Sequence, residues 1–175
     1  PPGTRLKDNE MARVFGTSNT PVREAFRELA NDGLVDVQPY RGCTVRGVDL
    51  NELVEILQVR IALEAEAARV ATSRLTHEQL AQLELLADEC DAACVNEDPW
   101  RGTAADLDFH WSVVQAAGNA TMSRLLCELY GRTRVMSQGE LARLEAGAEP
   151  SHHALLAAFR SGDEGQAAAV MAEHI

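Results

Sequence analysis

Apolar residues recur every three to four positions along most of this chain, and the stretch that departs from that rhythm, residues 34–45, divides it in two. Before the break, Met11, Val14 and Phe15 predict a short helix from Asn9 to Phe15, with Asp8 as its cap and Gly16 as its stop. A second start signal follows at once: Thr20 is a good N-cap, and Pro21 suits a first helical position because the N–H it lacks would have no partner there. That helix is expected to reach about Asn31, with Val22, Phe26, Leu29 and Ala30 on one face and Arg23 and Arg27 off it. Leu34-Val35-Asp36-Val37-Gln38 then alternates as a strand does, Pro39-Tyr40-Arg41-Gly42 is a turn, and Cys43-Thr44-Val45 a short return strand.

From Asp49 onward every strong signal is helical. Leu50, Leu53, Val54, Leu57, Ile61 and Ala68 mark one helix, and Thr76 with Gln79 forms a capping box for a second through Leu80, Leu83, Ala87 and Cys90. Pro99 interrupts. A third helix is expected from about Thr103 to Ala117, ended by Gly118-Asn119, and a fourth from Thr121 toward Leu144. Two more run from His152 to Arg160 and from Asp163 onward, separated by Ser161-Gly162. The expected fold is mainly α: a helix-turn-helix with a hairpin, then an antiparallel all-helical bundle. Arg46-Gly47-Val48 reads as the linker, giving domains of 1–47 and 48–175.

A chain of 175 residues that is 46% hydrophobic can fill a core for both parts. It contains no run of about 18 apolar residues and opens without the apolar stretch of a signal peptide, so a soluble, cytoplasmic protein without membrane contact is expected. Cys43, Cys90, Cys94 and Cys127 form no C-x-x-C pair and read as reduced core thiols. Charge sharpens the division. Six basic and six acidic side chains cancel within residues 1–45, so the whole net charge of −11 lies beyond them. Phosphate would be repelled by that acidic body, which leaves the first segment as the surface for nucleic acid.

Two short helices joined by a tight turn present the start of the second to base edges in a major groove. Here those residues are Ser18, Asn19, Thr20 and Arg23: the hydroxyls and helix N-terminus suit phosphate, Asn19 suits adenine, and Arg23 suits guanine or a phosphate. Arg41 and Gly42 form the hairpin tip, where Arg41 can reach the minor groove. Each signal singly also fits a solvated charge or a purely structural motif.

In the second part, Asp106 and His110 are spaced i, i+4 and project from one helix face, as metal ligands or as a surface salt bridge. His152 and His174 flank the Ser161-Gly162 turn at comparable distances, so a helical hairpin holds them at a similar level, roughly 15 Å from the turn at about 1.5 Å per residue. Three imidazoles and a carboxylate can thus converge, a set suited to zinc and also to nickel or another borderline divalent ion.

These residues carry two resemblances. Gly3-Thr4-Arg5-Leu6, Gly16-Thr17-Ser18-Asn19-Thr20-Pro21-Val22-Arg23-Glu24-Ala25-Phe26, Gly33-Leu34-Val35 and Arg41-Gly42 resemble the winged-helix domain of the GntR family, with Asn19 where arginine is usual. Arg60-Ile61-Ala62-Leu63-Glu64, Asp106-Leu107-Asp108-Phe109-His110, Ala116-Ala117-Gly118-Asn119, His152, Gly162-Asp163 and His174-Ile175 resemble the FCD sensor domain of the FadR subfamily. The resemblance implies a transcription regulator, not an enzyme. It implies a homodimer on a palindromic DNA operator, with Asp106, His110, His152 and His174 as ligands of a divalent metal, zinc foremost, and a small organic acid as effector. Arg60 is the implied effector anchor with Asn119 and Arg134 behind it, a structural salt bridge or hydrogen bond being an equal reading of each. His153 is the substitute for His152, and His77 is a solvated residue. A further helix normally precedes the Pro-Pro-Gly turn in such proteins, so the chain is expected to be cut short there and after His174. Three other readings are a metal that is itself the signal, a purely structural metal, and a zinc hydrolase with Asp108 as base.

Overall fold

The computed structural model describes residues 2–38, 42–47, 49–136 and 152–175. Its elements run β1 (Arg5–Leu6), α1 (Asp8–Val14), α2 (Asn19–Asn31), β2 (Val35–Gln38), β3 (Gly42–Val45), α3 (Leu50–Thr72), α4 (His77–Val95), α5 (Pro99–Ala117), α6 (Ala120–Met136), α7 (His152–Ser161) and α8 (Glu164–His174). The fold is mainly α, a winged helix-turn-helix followed by a helical body.

In the N-terminal head, β2 and β3 pair antiparallel with Val37 opposite Cys43, and β1 adds to the other edge of β3 with Leu6 opposite Cys43. At two residues, β1 is too short for alternation to announce it. Gly42 opens β3 at φ 85°, and a Cβ there would sit 2.2 Å from the Leu6 carbonyl oxygen, so the close approach of β1 requires glycine. The head core is Ala12, Val22, Phe26, Val35 and Cys43, with Leu29 and Ala30 packed against it. Burial of a side chain such as Phe26 contributes about 1.5–3 kcal/mol.

Several local expectations shift. Lys7, not Asp8, holds the N-cap position of α1; Asp8 sits in the first turn, where a carboxylate favours the positive end of the helix dipole. Ala12 is the buried residue of α1, while Val14 and Phe15 are exposed. α2 starts at Asn19 after Ser18, which places Thr20 and Pro21 inside the first turn, where amide N–H groups still have no helical partner.

Pro99 does not interrupt a helix but begins one. Asp98 accepts the N–H of Arg101 at 3.1 Å as the cap of α5, and proline occupies the first turn. The Thr76 and Gln79 capping box is formed, and α4 continues to Val95. α6 is described to Met136; its expected extension toward Leu144 lies outside the described residues.

In the body, α3 lies along α5 and α8, α4 along α5 and α7, and α6 against α3 and α5. Small residues on α3, Ala67, Ala68 and Ala71, let the helices approach, and Phe109, Val113, Leu126, Leu155, Leu156 and Met171 complete the core. The buried face of α3 is Leu53, Ile56, Arg60, Glu64, Ala67 and Ala71, rotated from the expected stripe, so Leu50 and Val54 are exposed. Of the cysteines only Cys43 is buried; Cys90 is half-buried, and Cys94 and Cys127 are exposed, so core packing does not describe the set.

Candidate metal centre and DNA-reading surface

Three helices deliver four metal-ligating side chains to one point. Asp106 and His110 come from adjacent turns of α5, His152 is the first residue of α7, and His174 is the last of α8. Gly162, at φ 73°, makes the turn between α7 and α8, and Asp163 caps α8 by accepting the N–H of Gln166 at 2.9 Å. The hairpin that results returns His174 to the level of His152, their Nε2 atoms 3.1 Å apart. Asp106 Oδ1 lies 3.2 Å from His152 Nε2, 3.5 Å from His110 Nε2 and 3.9 Å from His174 Nε2. Donor atoms of all four residues fall within 4.8 Å of one another. His153 points elsewhere, its Nε2 being 3.1 Å from Asp91 on α4, and His77 is exposed at the start of α4.

A second layer stands behind the cluster. Glu64 Oε2 is 2.5 Å from His110 Nδ1, and its other oxygen accepts from Arg60 Nε at 2.7 Å. The Arg60 guanidinium carbon lies 5.0 Å from the centre of the Tyr130 ring, which meets Trp111 edge to face. Hydropathy gives no sign of Glu64, a carboxylate inside an apolar helix face. The signal that does exist is its i, i+4 spacing from Arg60, a charged pair whose members share one side of α3. Tyr130 has no sequence signal of its own.

Burial alone would neutralise these groups, and their neighbours prevent it. Burial pushes Glu64 up, but His110 and Arg60 together hold it below the usual carboxylate range. Burial likewise raises Asp106, and the three rings around it hold it well below. For His110 burial favours the neutral ring, yet the Glu64 and Asp106 carboxylates push it up to about 9. His152 is lowered, chiefly by its burial. Two carboxylates arranged around one ring make a site that attracts positive charge. The donor set fits a divalent ion: three imidazole nitrogens, one carboxylate oxygen, and a carboxylate on the far nitrogen of His110 that leaves Nε2 to ligate.

Of the implied effector residues, the structure brings Arg60 to the cluster, through Glu64. The Asn119 side-chain oxygen Oδ1 accepts the N–H groups of Thr121 and Met122 at the start of α6, and Arg134 is exposed in the last turn of α6. On the head, Ser18, Thr20 and Arg23 are exposed, and Asn19 donates to Asn9 Oδ1 at 2.7 Å. Arg23 Nε is 2.5 Å from Asp8 Oδ2, yet the arginine side chain keeps 61% of its surface open. Gly42 shapes the wing, and Arg41 lies outside the described residues.

Among the described residues no helix is long and apolar enough to cross a membrane. Residues 1–45 match the bacterial regulatory proteins of the gntR family, and residues 55–175 match the FCD domain. The chain is 34% identical over 179 residues to the "Probable D-xylose utilization operon transcriptional repressor" of Paenarthrobacter nicotinovorans, covering all of this chain and 77% of that one. It is 29% identical over 126 residues to the uncharacterized HTH-type transcriptional regulator YdhC of Bacillus subtilis, covering 71% of this chain and 56% of that one. The solved structure of Escherichia coli McbR/YncC superposes with a TM-score of 0.83 at 27% identity, covering 98% of this chain and 83% of that chain. With a DNA-reading head at one end and an FCD body at the other, the chain belongs to the GntR family and is a DNA-binding transcription regulator.

Proposed function

We propose that this regulator changes its affinity for a DNA operator when a small carboxylate binds at a divalent metal held by Asp106, His110, His152 and His174. The convergence of those four donor sets within 4.8 Å carries the reading, and the Glu64 carboxylate on the far side of His110 supports it. Zinc suits the three nitrogens and one oxygen best, with nickel next. Bound there, the metal supplies a fixed positive charge to which an anion is drawn. The protein's part is to fix four ligands on three helices, so that occupancy bears on how α5, α7 and α8 pack. An effector can shift the operator equilibrium only by its differential affinity for two arrangements of the chain.

In this reading residues 1–47 touch the operator, with Ser18, Asn19, Thr20, Arg23, Arg41 and Gly42 at the contact surface, and 48–175 form the sensor, in which Arg60, Asn119 and Arg134 are the candidate effector-side residues. The active form is a cytoplasmic homodimer on a palindromic operator. Thermal unfolding of the purified protein with zinc or with a chelator, against acetate, lactate, malate and uncharged D-xylose, tests it, because a ligand bound only by the folded state raises stability, by about 2.7 kcal/mol at a hundred times its dissociation constant. Stabilisation by a carboxylate that needs zinc is the expected result. No response to zinc overturns the metal site, and zinc-dependent binding to DNA selected from a random pool, without any organic ligand, makes the metal itself the signal.

A further inference from the structure

We infer that Asn9 is a positioning residue for operator recognition: it holds the side-chain amide of Asn19 so that the edge left free matches adenine. The inference rests on the contact surface proposed above and adds the residue that sets its base preference. Asn19 opens α2, Asn9 lies in the first turn of α1, and Asn19 Nδ2 donates to Asn9 Oδ1 at 2.7 Å. The two helices are fixed against each other from below, where Ala12 of α1 is buried with Val22 and Phe26 of α2 and Met11 and Leu29 pack against them. Arg23 with Asp8 joins the same helices alongside.

A side-chain amide carries two N–H groups on one nitrogen and an oxygen that accepts. The bond to Asn9 uses one N–H of Asn19 and leaves the other, with Oδ1, uncommitted. One donor beside one acceptor matches the major-groove edge of adenine, which offers N7 as acceptor and its N6 amino group as donor. Guanine offers two acceptors there, N7 and O6, and the single remaining N–H can meet only one of them. Asn9 also decides which way the amide faces. The terminal torsion of asparagine is broad, so without a partner its oxygen and nitrogen exchange places at little cost and the preference is averaged away. Ser18 and Thr20 differ in kind: hydroxyls on phosphate hold register and carry no sequence information. The Asn9 contact is exposed, so its effect is expected in the choice of base and not in the stability of the head.

Two variants separate positioning from a structural tie. Asn9→Ala removes the acceptor, whereas Asn9→Asp keeps an oxygen in its place and suits the first turn of a helix. With the full chain, an operator selected from a random DNA pool by the wild type is titrated by fluorescence anisotropy with each base at each position. The position read by Asn19 is the one where Asn19→Ala loses its preference. The wild type is expected to favour adenine over guanine there about tenfold or more, as a bidentate base contact does. Asn9→Ala is expected to cut that preference to about threefold or less, while preferences at the other positions and the midpoint of thermal unfolding stay as in the wild type. Asn9→Asp is expected to retain the adenine preference and to bind every sequence more weakly by one common factor, since it sets a carboxylate near phosphate. A wild-type preference for a G·C pair at that position, an adenine preference undiminished in Asn9→Ala, or its loss in Asn9→Asp as well each overturns the inference while leaving Asn19 at the contact surface. Equal weakening of Asn9→Ala on all sequences with a lowered midpoint does the same, by showing a structural tie. Absence of any position that answers to Asn19→Ala removes Asn19 from that surface, and this inference with it.

Discussion

The head and the body treat charge in opposite ways. On the head, the side chains suited to DNA stand in solvent: Arg23 is largely open, and its ion pair with Asp8 joins neighbouring helices at the surface. In the body, Glu64 is 0% exposed, His110 2% and Arg60 4%, and each completes another. An exposed pair is worth about 0–1 kcal/mol and is easily traded for a phosphate. A buried set is held together because any one member without the others would be an unpaired charge away from water. The comparison teaches that a surface for DNA has to stay open for exchange, whereas a buried charged cluster has to be assembled as one unit.

The largest break in this comparison is expected from Glu64→Ala. Removing that carboxylate strips both His110 and Arg60 of their buried partner, and the loss, about 3–5 kcal/mol by urea denaturation, falls on the folded state of the body. Zinc affinity should drop with it, about tenfold or more, since His110 loses the group that orients its ring. A loss below about 1 kcal/mol would show that the buried set is not the cooperative unit described here.

A smaller effect is expected at the seam between the two regions. Glu52, in the first turn of α3, pairs with Arg132 from α6 and lies 3.6 Å from Arg46, which itself donates to the Gly33 carbonyl at 3.3 Å and so ties the head to the body. Glu52→Ala should cost about 1 kcal/mol, because these groups are partly in solvent. It should change affinity for a selected DNA operator while zinc binding stays as in the wild type. Anisotropy titration of DNA alongside metal competition checks both, and unchanged DNA affinity would mean that the seam carries no signal.

The smallest change in stability, under about 0.5 kcal/mol, is expected from Arg23→Ala. Its effect should appear in DNA binding alone, about tenfold weaker with a shallower salt dependence. Equal operator affinity in this variant would remove Arg23 from the reading surface.

Much of this arrangement is legible in the residue order because its causes are local. Capping at Thr76, the αL stop at Gly118, and the i, i+4 placement of Asp106 and His110 each depend on a few consecutive residues. The level match of His152 and His174 follows from counting residues on either side of a single turn. Misplaced features have local explanations as well. Pro99 can end one helix or begin the next, and only the capping bond of Asp98 decides between them. β1 exists because β3 offers it an edge, and two residues have no periodicity to display.

What the sequence by itself determined is the order of helices, the uncharged balance of the head against the acidic body, and the chemical types of the four side chains that converge. Tertiary structure alone decided that Glu64 stands behind His110 and that Tyr130 sits between Arg60 and Trp111. The physical reason is distance along the chain. Periodicity reports which face of a helix is turned inward, but Glu64 and His110 are 46 residues apart, and only the packing of α3 against α5 places one on the other.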